Sequence, residues 1–180
     1  GKKLKVAIVY STGGLGDHSF NDAAQRGLEK AKAELGIDYV GYEPKDPTSE
    51  AEGQLRSYAE SGEYDLVIAT GFMMKDALLA VAKEFPEQKF AITDERIPEL
   101  KNVASLTFKE HEGSFLAGAL AAMMSKNNTV GFVGGAEAPL IQKFEAGYTQ
   151  GAKYVKPDIK VSAVYIGGTN AFHDPASAKT

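Results

Sequence analysis

Three glycines, an aspartate, a phenylalanine and an asparagine crowd one short stretch of this chain. Gly13, Gly14 and Gly16 lead directly into Asp17, His18, Ser19, Phe20 and Asn21. A glycine-rich turn between a strand and a helix lets backbone approach a ligand closely, as in dinucleotide sites. The G-x-G-x-x-G spacing fails here, because its third position is Ser19. Asp17 would also set a negative charge where a phosphate needs bare amides. The loop reads either as a plain chain reversal or as a binding loop for a neutral ligand bearing hydroxyls or amides. In the second reading Asp17 accepts hydrogen bonds, Asn21 donates and accepts, and Phe20 offers a flat apolar face.

Two further positions share the character of that loop. Gly71 and Phe72 follow the apolar run at residues 66–69, and Asp94 follows the run at residues 89–93. Residues just beyond strand ends line the ligand crevice of open α/β sheets. An ionised carboxylate can accept both hydroxyls of a diol, so a sugar or ribose is the natural guest.

No reaction chemistry accompanies these groups. The histidines His18, His111 and His173 are scattered without metal-ligand spacing, and His18 reads as a solvated loop residue. There is no cysteine, no G-x-S-x-G nucleophile elbow and no G-x-x-x-x-G-K-[ST] phosphate loop. The residues therefore carry no catalytic set, no metal site and no expected cofactor.

The elements that must hold these residues alternate regularly. Strands are expected at residues 4–10, 39–42, 66–69, 89–93 and 103–108, with helices at 20–35, 49–61 and 73–85 between them. Short β-branched runs separated by amphipathic helices mean a parallel α/β sheet. Ser19 with Asp22, and Ser49 with Glu52, look like capping boxes, and Gly36 is a natural helix stop. A helix at residues 110–125, apolar nearly all round, suggests burial between layers. A strand at 129–133, a helix at 139–155, a strand at 161–166 and the start of another helix in 170–180 follow. Met73, Met74, Met123 and Met124 read as core filler. The domains expected are an α/β lobe at residues 1–109 and a partial second lobe at 110–180. Two strands cannot shield their own faces, so the second lobe looks unfinished.

Composition sets outer bounds. The 180 residues are 43% hydrophobic and 24% charged, which is ordinary for a globular protein and unlike a disordered chain. With 20 basic and 24 acidic residues the net charge is −4, so a nucleic-acid partner is not expected. The most apolar stretch, residues 115–124, is far shorter than the ~20 residues that span a bilayer. No signal peptide heads the chain, so the sequence is expected to be mature or trimmed.

The sequence also resembles a known family. Asp17, Ser19, Phe20 and Asn21 stand as in the D-x-S-F-N signature of the basic membrane protein family, the PnrA-like purine-nucleoside-binding lipoproteins of ABC transporters. Gly71-Phe72, Asp94, NVASLTF at 102–108, EGSFLAGALAAMM at 112–124, VGFVGG at 130–135 and FEAGY at 144–148 continue the match in order. The resemblance implies a type I periplasmic-binding-protein fold, with two lobes closing on a ligand and a carboxyl-terminal part beyond this chain. It implies that Asp17 and Asn21 contact the base, that Asp94 holds the ribose, and that Phe20, Phe72 and Phe172 are candidates for stacking. Ser19 and Gly71 join the site on the same ground. The segment at 167–175 is longer than the family's G-S-F-x-D-P, which puts Phe172 in question.

The implied function is that of a solute-binding subunit of an ABC importer, not an enzyme. Its partners would be a purine nucleoside, or another ribosyl or sugar-like solute, and an ABC permease. Its place would be the cell surface or periplasm, on a lipid anchor outside this sequence. The rivals are the ligand-sensing domain of a regulator and a dinucleotide-dependent enzyme.

Overall fold

The computed structural model describes residues 3–168 and 171–179. The chain divides into two units, Gly1–Thr107 and Phe108–Thr180.

The first unit is a five-stranded parallel sheet. In chain order it comprises β1 (Lys5–Val9), α1 (Phe20–Leu35), β2 (Asp38–Tyr42), α2 (Pro47–Ser61), β3 (Leu66–Ala69), α3 (Lys75–Glu84), β4 (Phe90–Thr93) and β5 (Val103–Leu106). The strands lie in the order β2-β1-β3-β4-β5, every pair parallel. Alternation along β1 sends Ala7 and Val9 to one face and Val6 and Ile8 to the other. The first pair packs with Leu55 of α2, Leu78 and Val81 of α3, and Val67, Phe90 and Ile92 of the neighbouring strands. The second pair packs with Leu28 of α1 and with Leu66 and Ile68. Helix α1 thus covers one face while α2 and α3 cover the other. The chain changes sides between β1 and β3, and the crevice at the carboxyl ends of those two strands is the topological switch point. A groove of about 1000 Å³ runs beside α1 at the opposite, amino-terminal ends of the strands, lined by Leu28, Leu35, Leu66, Ile68 and Phe85.

Local signals act here with some corrections. Gly36 closes α1 in the left-handed conformation, its N–H donating to the Lys32 carbonyl, as expected. Neither expected capping box forms. Ser19 makes no side-chain cap bond, because the Asp17 carboxylate already takes the first free N–H groups of α1. Helix α2 begins earlier, at Pro47, whose fixed φ suits a first helical turn. There Glu52 pairs with Arg56 at 2.8 Å, not with Ser49. The helix expected at 73–85 is split into a single 3₁₀ turn at Phe72–Met74, then α3.

The second unit holds α4 (Glu110–Met124), β6 (Thr129–Gly134), α5 (Pro139–Val155) and β7 (Lys160–Tyr165), with β6 and β7 parallel. Helices α4 and α5 meet backbone to backbone. A Cβ on Gly118 would lie 1.9 Å from the Tyr148 carbonyl oxygen, and one on Gly151 1.9 Å from that of Phe115. Ser114 donates its hydroxyl to the Phe144 carbonyl across the same seam. The other flank of α4 departs from the buried helix expected. Leu116, Leu120, Met123 and Met124 are exposed, so Met123 and Met124 are not core filler, whereas Met74 is. Val133 and Val164, partners in the β6–β7 register, are also about half exposed on the uncovered sheet face. Beyond β7 the expected helix is only a 3₁₀ turn at Ser177–Lys179 among the described residues. Asp174 accepts the N–H and hydroxyl of Ser177 there, a local turn bond that competes with helix.

Candidate functional site

Because β1, β3 and β4 are neighbours and all parallel, the residues that follow them share one rim. Asp17, Gly71 and Asp94 stand on it, as the strand pattern predicts.

The loop from Ser11 to Asn21 is organised by its own polar side chains. Asp17 accepts the backbone N–H groups of Asn21, Ser19 and Asp22 at 2.8, 2.9 and 3.1 Å. Asp22 in turn accepts those of Gly16 and His18 at 2.7 and 3.0 Å. Asn21 is fully buried, at 0% exposure. Its oxygen accepts the Ser11 N–H at 2.8 Å, and its amide donates to the Thr12 carbonyl and to Asp17 at 3.2 Å each. Partial burial pushes the Asp17 pKa up, but the N–H groups of Asn21, Ser19 and Asp22 outweigh it and hold the carboxyl below its usual range. In this structure the Asn21 side chain is engaged by the loop itself and by Asp17. Its buried amide faces the loop backbone, because an unpaired amide there would be costly. His18 is solvated as expected, 96% exposed at its side chain with φ of 51°.

What this framework presents outward is Phe20, 40% exposed at the first position of α1. Its ring edge reaches across to the loop after β3. A Cβ on Gly71 would stand 3.5 Å from Phe20 Cε1 and 3.1 Å from Ser11 Oγ. Gly71 has φ of 99°, a conformation that a side chain disfavours. Its N–H donates to Thr93 Oγ1 at 2.8 Å, which ties the β3 loop to the end of β4. Asp94 follows directly, half-buried and left-handed at φ of 63°, with its N–H on the Leu106 carbonyl. Phe72 is half-buried in the 3₁₀ turn, and the exposed Ser19 lies beside Phe20.

Two groups on this rim escaped sequence reasoning. Lys75 pairs with Glu95 at 3.1 Å, and Glu43, beyond β2, accepts the Leu15 N–H at 2.8 Å. Nothing in their local sequence marks them, since each acts across more than 15 residues of chain.

In the second unit Phe172 is 45% exposed, and its ring lies on Gly135. A Cβ on Gly135 would come within 2.4 Å of that ring, so glycine is what admits it. The ring borders a cavity of about 430 Å³ beyond the carboxyl ends of β6 and β7, with Val133, Ile166 and His173. Each unit thus seats one half-exposed phenylalanine on a glycine that follows a strand.

The chain is a parallel α/β sheet with rings and carboxylates gathered at its strand ends. The chain belongs to the Bmp family of PnrA-like ABC transporter substrate-binding proteins, whose model matches residues 3–180. That family, and the solved neighbour at 35% identity, are solute-binding proteins, not enzymes. The chain is 40% identical over 183 residues to the ABC transporter nucleoside-binding protein BmpA of Lactococcus lactis, covering 98% of this chain and 50% of that one. It is 41% identical over 169 residues to the CD4+ T-cell-stimulating antigen of Listeria monocytogenes, covering 91% of this chain and 47% of that protein. An ABC transporter solute-binding protein of Aeropyrum pernix K1 superposes with a TM-score of 0.89 at 35% identity, over 98% of this chain and 50% of that one. The chain spans about half the length of the relatives it matches.

Proposed function

We propose that this chain is part of a solute-binding lipoprotein that captures a purine nucleoside for an ABC importer. The observation that carries the reading is Phe20, half exposed and seated against Gly71 at the β1–β3 switch point. A planar base stacks on such a ring, and Asp94 on the same rim is the group for the ribose hydroxyls. Phe172 on Gly135 is the second stacking candidate, and Phe72 ranks below both because it sits deeper, in the 3₁₀ turn. Asp17, Ser19 and Asn21 hold Phe20 in place, and Asp17 keeps phosphate away. The nucleoside-binding name of the Lactococcus lactis relative supports the ligand class.

Capture works by closure of two lobes on the solute, which a ligand drives only through contacts that improve in the closed state. The loaded protein then delivers its solute to a membrane permease. Anchorage at the outer face of the membrane through a lipid is supported by relatives named lipoproteins in Pyrococcus furiosus and Pyrococcus abyssi. Among the described residues no helix is long and apolar enough to cross a membrane. Native mass spectrometry of the full-length protein, purified without refolding, tests the reading. A copurifying mass matching a purine nucleoside is expected. An amino acid, a hexose or a nucleotide in its place overturns it.

A further inference from the structure

The glycine turn ahead of Asp17 is held from outside as well as from within. Glu43 directly follows β2, the edge strand, and its Oε2 accepts the Leu15 N–H at 2.8 Å. The same oxygen lies 2.6 Å from where a Cβ on Gly14 would stand. Gly14 is buried and left-handed, with φ of 63°. The missing side chain is what lets the carboxylate reach the backbone behind it. Glu43 is itself well placed, since Tyr42 before it accepts the Tyr10 N–H at 2.9 Å. Tyr10 leads out of β1 into the loop, so loop and brace leave the sheet side by side.

The geometry points to Glu43 as a positioning residue that holds the loop after β1, and with it Phe20, in a binding-ready shape. Gly14, left-handed and without a side chain, leaves room for the Glu43 carboxylate. Asp17, Asp22 and Asn21 shape the loop internally, but all of them travel with it. Glu43 directly follows another strand and fixes the loop to the sheet. A loop that has its competent shape for only a fraction of the time weakens apparent affinity by the inverse of that fraction. The consequence for ligand rests on the solute-binding reading above; the brace itself does not.

The test uses the full-length protein and its Glu43→Ala and Glu43→Gln variants. Three quantities are measured: hydrogen exchange at the Leu15 amide without ligand, the dissociation constant for adenosine or inosine, and the melting temperature. Glutamine can still accept the Leu15 N–H through its amide oxygen. Glu43→Ala is expected to speed Leu15 exchange about tenfold and to weaken nucleoside binding about three- to tenfold, the scale of one hydrogen bond. Its melting temperature should stay within about 2 °C of native, because the bond lies at the surface. Glu43→Gln should stay within about twofold of native in exchange and binding, on the same hydrogen-bond scale. Unchanged exchange in Glu43→Ala overturns the brace, and faster exchange with unchanged affinity overturns its role in binding. A fall in melting temperature with equal losses in both variants overturns it in favour of a merely structural role. If the native protein binds no nucleoside, the functional reading falls, and Leu15 exchange still decides the brace.

Discussion

The ring of Phe20 and the bare α-carbon of Gly71 meet at the β1–β3 crevice, with 3.5 Å between Cε1 and the place where a Gly71 Cβ would stand. A helix start and a strand end, 51 positions apart in sequence, come together there because β1 and β3 are adjacent. Both halves of the contact can be probed. Gly71→Ala would place a side chain at φ of 99° and 3.1 Å from Ser11 Oγ. It should lower stability by about 1–3 kcal/mol in urea unfolding, through the backbone strain and the crowding of Ser11. Phe20→Ala should leave stability nearly unchanged, since the ring is already 40% exposed. A stacked base is worth about 1–3 kcal/mol by alanine substitution, so nucleoside affinity should fall roughly 5- to 150-fold by calorimetry.

Asn21 offers the complementary case, a fully buried side chain. Asn21→Ala removes the acceptor for the Ser11 N–H and the donor to the Thr12 carbonyl. Leaving buried polar groups unmet costs about 1–3 kcal/mol, which denaturant midpoints will register. Affinity should drop along with stability, whereas Phe20→Ala separates the two.

Acid should release the start of α1. The Asp17 carboxyl has its pKa held below the ordinary range, so its contribution is complete above the unfolded-state value and is lost as pH falls through the folded one. Native and Asp17→Ala proteins should differ by about 1 kcal/mol at pH 7. The gap should close progressively below about pH 4, the region of an unperturbed aspartate. A constant gap from pH 7 to pH 2.5 would contradict the cap.

The same carboxylates bear on ligand charge. The N–H groups of Gly16, His18, Ser19, Asn21 and Asp22 all donate to Asp17 or Asp22, so the glycine turn offers a phosphate no ready amides at those positions. Adenosine is expected to bind the full-length protein at least tenfold more tightly than AMP. Equal affinity, or tighter AMP, would refute the neutral-ligand reading.

In the second unit the seam between α4 and α5 tolerates no side chain at its crossing points. A methyl group at Gly118 or Gly151 would overlap a carbonyl oxygen of the facing helix backbone, which cannot rotate away. Gly118→Ala and Gly151→Ala should each cost about 3 kcal/mol or more, at the upper end for overpacking. By contrast Gly113→Ala, with open space around it, should be neutral or slightly stabilising in thermal unfolding.

Much of the first unit is written in local sequence. Apolar runs such as residues 5–9 mark strands buried on both faces, and amphipathic stretches mark the helices, because periodicity reports which side of an element meets the core. Alternation of the two kinds dictates a parallel sheet, and a parallel sheet places Asp17, Gly71 and Asp94 on one rim without further information. The D-x-S-F-N signature marked the same loop. Sequence alone could not say what each residue does there. Asp17 and Asn21 look like ligand groups by type, and the structure adds that both also bond the loop backbone, because a buried loop must satisfy its own N–H and carbonyl groups. Which phenylalanine stands half exposed depends on its neighbours across elements: Phe20 lies against Gly71, and Phe172 is admitted by Gly135. Glu43 and Gly14 are joined only through the pairing of β2 with β1. Tertiary structure decided these because each is a contact between elements, and the rules that read one element at a time carry no information about its neighbour.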